Sequence, residues 1–423
     1  MIATPELSTR SNVDTLKQRF DAIRDQSTAL AASLPAEDQV IQSMPSASPT
    51  KWHLAHTTWF FETFVLRPHL PSYECFDTRF ESLFNSYYRG IGEPFERARR
   101  GTIGRPTVAT IGDYRQQVDR AMERFLGSPD IADEHLALIE LGLQHEQQHQ
   151  ELILTDIKHA LASNPLRPGY RTDLSPVDAP DQPPPMNWTS YDEGLYSIGH
   201  GGDGFCFDNE LPRHQTFLPS FELTDRPVSC SEFIAFIDDG GYRDSRWWLS
   251  EGWQIVQEQG WEAPLYWERQ NGQWWTMTLG GMRPVVDAEP VIHVSFFEAD
   301  AYARWSGHRL PTEGQWEVAC GQEVPDGDGF LEGQRFHPRA LQDPSSMAYF
   351  GDCWEWTASQ YRPYPGFRPW KSTIGEYNGK FMCNQFVLRG GSCATAESHI
   401  RPSYRNFFAP QARWQFSGFR LAR

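Results

Sequence analysis

The chain has 423 residues, with 38 basic and 55 acidic side chains and a formal net charge of −17 at pH 7. A surface this acidic repels phosphate groups, so the composition argues against nucleic acid and anionic membranes as principal partners. The length exceeds what one ordinary core accommodates and predicts two domains, or three. Aromatic residues make up 14% of the chain, which indicates a globular protein with much aromatic surface to bury.

Two absences in the sequence point to a cytoplasmic protein. No apolar run approaches the roughly 20 residues that a membrane helix needs, and we expect no signal peptide because no apolar core follows the first residues. The seven cysteines are scattered, odd in number and without a C-x-x-C pair. This usage predicts reduced thiols in a cytoplasmic enzyme or binding protein, and it leaves the oligomeric state open.

The first part of the chain carries four segments in which apolar residues recur at helical spacing. Between residues 12 and 162 such segments cover 13–34, 51–66, 109–126 and 134–162. Their lengths and connections predict an up-and-down four-helix bundle.

The second part of the chain has a different character. Residues 163–188 contain seven prolines and no helical periodicity, which predicts a linker or surface strap. From residue 189 to 423 the chain is rich in Gly, Trp and short alternating segments, which predicts an irregular α+β domain. The segments 229–239 and 295–307 are exceptions, because each opens with the Ser-x-x-Glu pattern of a capping box and reads as a helix.

The segment HEQQH, residues 145–149, matches the H-E-x-x-H pattern of zinc proteases. On a helix His145 and His149 lie on one face, with Gln148 beside that face and Glu146 about 100° round. In a protease that glutamate activates the metal-bound water. Two ordinary histidines on a polar helix face are the alternative.

A second helix supplies further histidines. His53 and His56 lie on the otherwise apolar segment 52–59, and side chains of facing helices converge in the core of a bundle. One of them together with His145 and His149 would form a three-histidine face with open coordination positions. No cysteine lies nearby in sequence, so structural zinc is disfavoured, but imidazole ligands alone leave Zn, Cu, Fe and Ni open.

The motifs of the first domain, in order, resemble those of a known enzyme family. They are WHLAH (52–56), FNSYY (84–88) and HEQQHQEL (145–152). Followed by a Pro-rich linker, they resemble the iron-dependent sulfoxide synthases of ergothioneine biosynthesis. That resemblance implies a DinB-like four-helix bundle joined to a formylglycine-generating-enzyme-like domain of the C-type-lectin kind. It also implies His56, His145 and His149 as iron(II) ligands, with His53 a neighbour.

The motifs of the second domain resemble the same family. They are RLPTEGQWEVAC (309–320), GDCWEWTAS (351–359), RGGSCAT (389–395) and GFRLAR (418–423). A formylglycine-generating oxidase would need paired cysteines near its RGGS element, and here only Cys393 lies there. The oxidase interpretation is therefore disfavoured, and Cys393 reads as a small buried side chain.

The resemblance also implies substrates and their contacts. One substrate is Nα-trimethylhistidine (hercynine), whose imidazole Gln148, Asn406 and Phe407 would contact, with Phe408 beside them. The other is a cysteine-type thiol, whose carboxylate an arginine would clamp. The candidates for that clamp are Arg99, Arg100 and Arg413.

The adjacent tyrosines Tyr87 and Tyr88 are the implied proton donors, because a phenol with a pKa near 10 is protonated at neutral pH. In an extended strand or loop they would point to opposite sides, so at most one would face the metal. A packing role for both is the alternative.

The resemblance therefore implies a non-haem Fe(II) enzyme that uses O2 to join a thiol to C2 of the imidazole and oxidises the sulfur to a sulfoxide. The chain's similarity to the branch of the family that carries FNSYY favours cysteine over γ-glutamylcysteine. Four alternatives stay open at this point: an HExxH zinc protease, a sister synthase of the ovothiol or selenoneine type, a DinB-like thiol transferase, and a lectin-like binding module.

Overall fold

The computed structural model describes residues 9–128, 131–174, 179–321, 327–341, 347–370 and 378–423, together with positions 323, 325 and 375. Positions 175–178 of the predicted linker lie outside these residues. The described chain divides into two compact units. The first contains the residues up to Asn164 and the short segment 203–205, and the second contains residues 165–202, 206–370 and 378–423.

The first unit is built on four long helices, as the apolar periodicity predicts. Two very short helices lie between the second and the third of them. The six in chain order are α1 (Thr9–Ala32), α2 (Thr50–Phe60), α3 (Arg67–His69), α4 (Phe80–Leu83), α5 (Val108–Leu126) and α6 (Asp133–Ser163). Helix α6 packs against α1 and α2, and α2 also packs against α5. This is the predicted four-helix bundle.

Helix α2 occupies the centre of this unit, since every residue from Thr50 to Phe60 is buried. It continues directly into a π-helical turn, Phe61–Leu66, which is also buried throughout. The extra residue per turn in a π-helix shifts the side-chain phase, and such turns recur at functional sites. Polar side chains on α2 therefore have no access to bulk water and must find partners inside the bundle.

The second unit holds small antiparallel sheets and one mixed sheet. The strands are β1 (Trp188–Tyr191), β2 (Gly194–Ile198), β3 (His214–Leu218), β4 (Phe221–Thr224), β5 (Trp267–Gln270), β6 (Gln273–Thr278), β7 (Gly281–Pro284), β8 (Trp354–Gln360), β9 (Phe386–Arg389), β10 (Asn406–Phe408) and β11 (Ser417–Gly418). Among the described residues β1 pairs with β4, β2 with β3, and β5–β6–β7 form a three-stranded sheet. The largest sheet has the order β10-β9-β8-β11, with β11 parallel to β8.

Four helices accompany these sheets, and three of them begin with a capping box, two of which their sequence predicts. They are α7 (Cys230–Asp238), α8 (Ser250–Gln259), α9 (Phe296–Trp305) and α10 (Glu313–Cys320). Ser229 and Ser295 each accept a hydrogen bond from the backbone three residues on, and the glutamate there bonds back. Thr312 does the same for α10 with Gln315. Both helices predicted from capping boxes are confirmed.

The motifs noted in the sequence of the second unit contribute to its core. Arg420 of the GFR element donates to both carboxylate oxygens of Glu355, at 2.6 and 2.7 Å, and neither residue is more than 1% exposed. Arg389 of the RGGS element donates to Glu313 and Glu317, each at 3.0 Å. Buried charges are tolerated when they are paired in this way. Removing either partner would leave an uncompensated ion in the core.

Two general features agree with the composition. Among the described residues, which include all seven cysteines, no disulfide is formed, and Cys393 is buried as predicted. Within the described part of the chain, no helix combines the length and the apolar character needed to cross a membrane.

Two glycines in the bundle give a matched test of its packing. A Cβ on Gly142 in α6 would lie 2.6 Å from the ring of Phe61 and 2.9 Å from that of Phe60, both fully buried. A Cβ on Gly112 in α5 would meet nothing within 4 Å. We expect Gly142→Ala to lower the free energy of unfolding by about 1–3 kcal/mol through overpacking. Gly112→Ala should raise it by about 0.5–1 kcal/mol, because alanine favours helix.

Urea unfolding followed by circular dichroism measures both changes. Equal effects of the two substitutions would contradict the close approach of α6 to the π-helical turn.

Candidate metal centre

The three histidines singled out in the sequence converge inside the first unit. His56 lies on α2, and His145 and His149 lie one turn apart on α6, which packs against α2. One ligand atom of each histidine lies within 4.8 Å of a ligand atom of each of the other two. Among the described residues, these three histidines are the cluster of potential ligands that could hold a metal ion. The ring centroids are separated by 4.6 to 4.9 Å.

The orientation of His56 is fixed by a backbone group. Its Nδ1 lies 2.6 Å from the carbonyl oxygen of Phe84, which can only accept, so Nδ1 carries the proton. The lone pair is therefore on Nε2, a fully buried atom with no hydrogen-bond partner among the described residues. A buried lone pair without a donor is costly. A metal ion in the space between the three rings would satisfy it.

The electrostatics of the site keep the imidazoles in the form that binds metals. Burial lowers the pKa of His145 to about 3 and holds the pKa of His56 well below its usual value. Burial, and then the neighbouring His145 and His56 rings, also hold the pKa of His149 well below the usual value. Metal ligation needs neutral imidazole, so the site fits a divalent cation.

Aromatic rings enclose the His56 side of the centre. Trp52 and Trp59, one turn before and after it on α2, stack on the His56 imidazole with centroid distances of 4.6 and 5.6 Å. Tyr88 lies beyond, 5.7 Å from Trp59 and fully buried. The rings exclude water from this side, which strengthens electrostatic interactions inside the site.

The two tyrosines lie on the same side of the chain, so the expectation that they would point to opposite sides is wrong. Their rings are 4.6 Å apart, and the Tyr87 hydroxyl lies 3.4 Å from that of Tyr88. The cause is a local turn: Asn85 Oδ1 accepts from the Tyr88 backbone N–H at 2.9 Å, and Asn85 Nδ2 donates to the Tyr88 carbonyl at 2.9 Å. Asparagine favours such turns over an extended chain.

The three candidate arginines have different environments. Arg99 is exposed. Arg413 is buried, donates to the carbonyl of Ala263, and forms an ion pair with Glu298 at 2.9 Å, so its charge is compensated. Arg100 is 2% exposed, and its guanidinium lies 3.4 Å from the centre of the Trp52 ring.

Arg100 is a buried cation that forms no direct ion pair among the described residues. It donates to two hydroxyls, Ser48 Oγ at 3.0 Å and Ser86 Oγ at 3.1 Å, and none of the described carboxylates forms an ion pair with it. Burial, reinforced by the charge of Arg97 and only partly opposed by the charge of Asp156, lowers the pKa of Arg100 to about 8. Because guanidinium stays charged in proteins, this shift expresses the cost of a buried charge that is only partly compensated. Such a group favours an anionic ligand.

The remaining predicted contacts lie on two different elements. Gln148 is half-buried on α6, next to His149. Asn406, Phe407 and Phe408 form strand β10 of the second unit and are half-buried. There Phe407 stacks flat on Tyr361 at 4.1 Å, and Asn406 Oδ1 accepts from the Phe407 backbone N–H at 2.9 Å.

The sequence reasoning missed the connection of His53, which it left as a neighbour. His53 Nδ1 lies 2.8 Å from His149 Nδ1, and its Nε2 lies 3.1 Å from Asp156 Oδ2. A signal was present: Asp156 is seven residues beyond His149 and therefore two turns along the same face of α6. A buried aspartate on a ligand-bearing face indicates a partner for a histidine.

Comparison with known proteins decides the family. A model of the DinB superfamily matches residues 19–153, and a model of the sulfatase-modifying factor enzyme 1-like domain matches residues 183–347 and 346–423. The hercynine oxygenase of Mycobacterium tuberculosis is 34% identical over 404 residues, which cover 89% of this chain and 91% of that relative. The chain belongs to the hercynine oxygenase family.

Two further relatives are similar to all or part of the chain. The hercynine oxygenase of Mycolicibacterium smegmatis is 32% identical over 415 residues, covering 90% of this chain and 92% of that protein. The formylglycine-generating enzyme of Streptomyces coelicolor is 27% identical over 276 residues, covering 54% of this chain and 86% of its own. The predicted α+β fold, with a DinB-like bundle and a formylglycine-generating-enzyme-like domain, is confirmed.

In this hercynine oxygenase family member the glutamate of HEQQH cannot act as a protease base, which removes the zinc-protease alternative. Glu146 is fully buried and accepts from Arg24 Nη1 at 2.9 Å and from Arg115 Nη2 at 2.5 Å. Burial alone would raise its pKa, but the Arg115 and Arg24 guanidinium groups overcompensate and hold the pKa of Glu146 at about 2. Its carboxylate is committed to these arginines.

Replacing Glu146 should therefore destabilise the bundle. Glu146→Gln leaves two buried arginines undercompensated, and we expect the free energy of unfolding to fall by about 3–5 kcal/mol. The matched control is Glu140→Gln on the same helix, where the partner Arg19 is partly exposed. That change should cost about 1 kcal/mol or less.

Chemical unfolding of the two variants beside the parent protein provides the measurement. The opposite result, peptide hydrolysis by the parent protein that Glu146→Gln abolishes without loss of stability, would restore the protease interpretation.

Proposed function

We propose that the protein is a non-haem Fe(II) sulfoxide synthase of ergothioneine biosynthesis. It would use O2 to form a C–S bond between a cysteine-type thiol and C2 of the imidazole of Nα-trimethylhistidine, and would oxidise the sulfur. The single observation that carries this proposal is the buried three-histidine cluster on α2 and α6. Membership in a family whose relatives are named hercynine oxygenases supports the same reaction and substrate.

The ligand set suits iron but does not by itself choose it. His56, His145 and His149 would hold the ion through neutral imidazole nitrogens and leave other coordination positions open. Iron, when bound there, would supply the site for the thiolate and the redox chemistry of O2. The reaction type favours it over zinc, which has no redox chemistry.

The atoms and electrons of the proposed reaction balance without a further reductant. The thiol loses its S–H hydrogen, the imidazole loses its C2 hydrogen, and a C–S bond forms between them. The sulfur then gains one oxygen atom, and the second oxygen atom leaves as water with the two hydrogens. Coupling and sulfur oxidation each release two electrons, and O2 takes up all four.

Arg100 is the residue best suited to hold the carboxylate of the thiol substrate. It is buried, has no direct ion pair among the described residues, and is stacked on Trp52, whose ring also stacks on that of His56. A carboxylate bound to Arg100 would place its attached thiol within the first unit, on the side of the bundle that carries the histidines. Arg99 is exposed and Arg413 is already paired, so neither offers the same driving force.

The proposed contacts of trimethylhistidine follow from its chemistry. Its quaternary ammonium has no N–H to donate, so it must be held by aromatic faces and oriented dipoles. Phe407 and Phe408 on β10 offer half-buried aromatic faces, and the amide of Asn406 offers a polar group beside them. Gln148 on α6 would hydrogen-bond the imidazole.

Tyr87 and Tyr88 are the proposed proton donors. The contact between their hydroxyls would let a proton lost by one tyrosine be replaced from the other. Tyr87 is half-buried, whereas Tyr88 is fully buried. The same FNSYY motif favours cysteine over γ-glutamylcysteine as the thiol.

The test is aerobic incubation with Fe(II), trimethylhistidine and either cysteine or γ-glutamylcysteine, with oxygen uptake and product mass measured together. We expect one O2 consumed per product, whose mass equals both substrates minus two hydrogens plus one oxygen. His145→Ala should abolish turnover, and His69→Ala, which removes an exposed histidine on α3, should not.

Several outcomes would contradict this proposal. Absence of thiol-dependent oxygen uptake with either thiol would overturn it. Coupling at another imidazole carbon, seen by NMR of a product of the same mass, would favour the ovothiol-type sister reaction.

The thiol contact has its own prediction. Arg100→Gln should raise KM for the thiol roughly 10–100-fold, since a hydrogen bond to a charged group contributes about 1.5–3 kcal/mol. KM for trimethylhistidine should change little. The neighbouring Arg99→Gln is the matched control, and its kinetics should equal those of the parent protein. A larger effect at Arg99 than at Arg100 would overturn the assignment.

A further inference from the structure

A chain of polar side chains leads from His149 into the interior of the bundle. His149 Nδ1 lies 2.8 Å from Nδ1 of His53, and His53 Nε2 lies 3.1 Å from Oδ2 of Asp156. The same carboxylate oxygen accepts from the backbone N–H of Ser48 at 2.8 Å. His53 is 2% and Asp156 is 3% exposed, so water does not replace these contacts.

The chemistry of the groups gives this chain a direction. An ionised carboxylate can only accept, so the proton of His53 is on Nε2 and its Nδ1 has a lone pair. His149 must then donate from Nδ1, which leaves the lone pair of His149 on Nε2. The reverse arrangement would put the proton on Nε2 of His149 and remove its ability to bind a metal. The direction set by Asp156 is therefore the one that a ligand requires.

We propose that Asp156 is a positioning residue for the metal centre and acts on His149 through His53. The inference rests on the proposed role of His149 as a ligand. A carboxylate bonded to the distal nitrogen of a ligand histidine fixes its tautomer and ring orientation and makes it a stronger donor. Here one imidazole is inserted between the carboxylate and the ligand.

Two of the three proposed ligands are then held by different means. His56 donates to a neutral backbone carbonyl, that of Phe84, whereas His149 is connected through His53 to a carboxylate. His149 is thereby the more electron-rich of these two proposed ligands. Metal binding through His149 would therefore depend on Asp156, which acts through His53.

Ser48 connects this chain to the proposed anion site. Its backbone N–H donates to Asp156, and its hydroxyl accepts from Arg100 Nη1 at 3.0 Å. A displacement of Ser48 when Arg100 binds a carboxylate would change the hydrogen bond from the Ser48 backbone to Asp156. The position of the thiol substrate and the orientation of His149 thus share one residue.

The experiment measures metal binding by the full-length protein and does not depend on turnover. Co(II) is the probe, because its visible absorption reports ligand geometry and titration gives its dissociation constant. Asp156→Asn removes the charge and keeps the shape, and His53→Gln removes the intermediate imidazole. We expect each to raise the dissociation constant of Co(II) about 10–100-fold and to shift the absorption bands.

The double variant decides whether Asp156 acts through His53. Once His53 is replaced, Asp156→Asn should have no further effect on Co(II) affinity, because the connection is already broken. The matched control is His159→Gln, which removes another part-buried, hydrogen-bonded imidazole of α6, one bonded to Ser43 at 2.7 Å. It should leave the dissociation constant and the absorption bands unchanged.

Each other outcome has a distinct meaning. Additive losses in the double variant, unchanged affinity in both single variants, or losses no larger than that of His159→Gln would overturn the role of Asp156. A parent protein that binds neither Co(II) nor Fe(II) would overturn the metal centre itself, and the proposed function with it.

Discussion

The bundle depends on one buried arginine that contacts all the other long helices. Arg24 on α1 donates to Glu146 on α6, to Asp119 on α5 and to the hydroxyl of Thr58 on α2. Its side chain is 3% exposed, and that of Glu146 is fully buried. A charge held at this depth is stable only while its partners stay in place, so these contacts fix the positions of four helices together.

This ion pair also sets the rotation of α6. Residues 145 and 146 point about 100° apart on a helix, so turning Glu146 toward Arg24 and Arg115 turns His145 toward α2. His149, one turn on, follows it, and both meet His56. The arginine cluster and the histidine cluster are therefore two consequences of one helix orientation. The site requires the first in order to form the second.

The features that depend on local sequence pattern could be predicted from the sequence. The four helices, the capping boxes at Ser229 and Ser295, and the convergence of His56 with His145 and His149 follow from spacing and from the rule that bundle helices face one another. The pairing of Glu146 with Arg24 could not be predicted, because 122 residues separate them and no spacing rule relates them. The sequence predicts opposite sides for Tyr87 and Tyr88, because adjacent side chains alternate in an extended chain, whereas the turn around Asn85 brings them to the same side. The burial of Arg100 depends on a ring, Trp52, that is distant in sequence.

The partners of Glu146 explain why the same H-E-x-x-H motif can serve different chemistry in different proteins. In a zinc protease the glutamate acts on water at the metal, and here it pairs with two arginines in the core. The metal site proposed for this chain has no carboxylate among its three histidines, so a divalent ion there would retain its full charge in a buried place. Such a centre favours an anionic ligand, and a thiolate supplies one. The charge of Asp156, conveyed through His53, would offset part of the remainder, while Arg100 would draw the carboxylate of the proposed thiol substrate. The proposed three-histidine set and Arg100, which has no direct ion pair among the described residues, would thus favour one ligand together: a thiol that also carries a carboxylate.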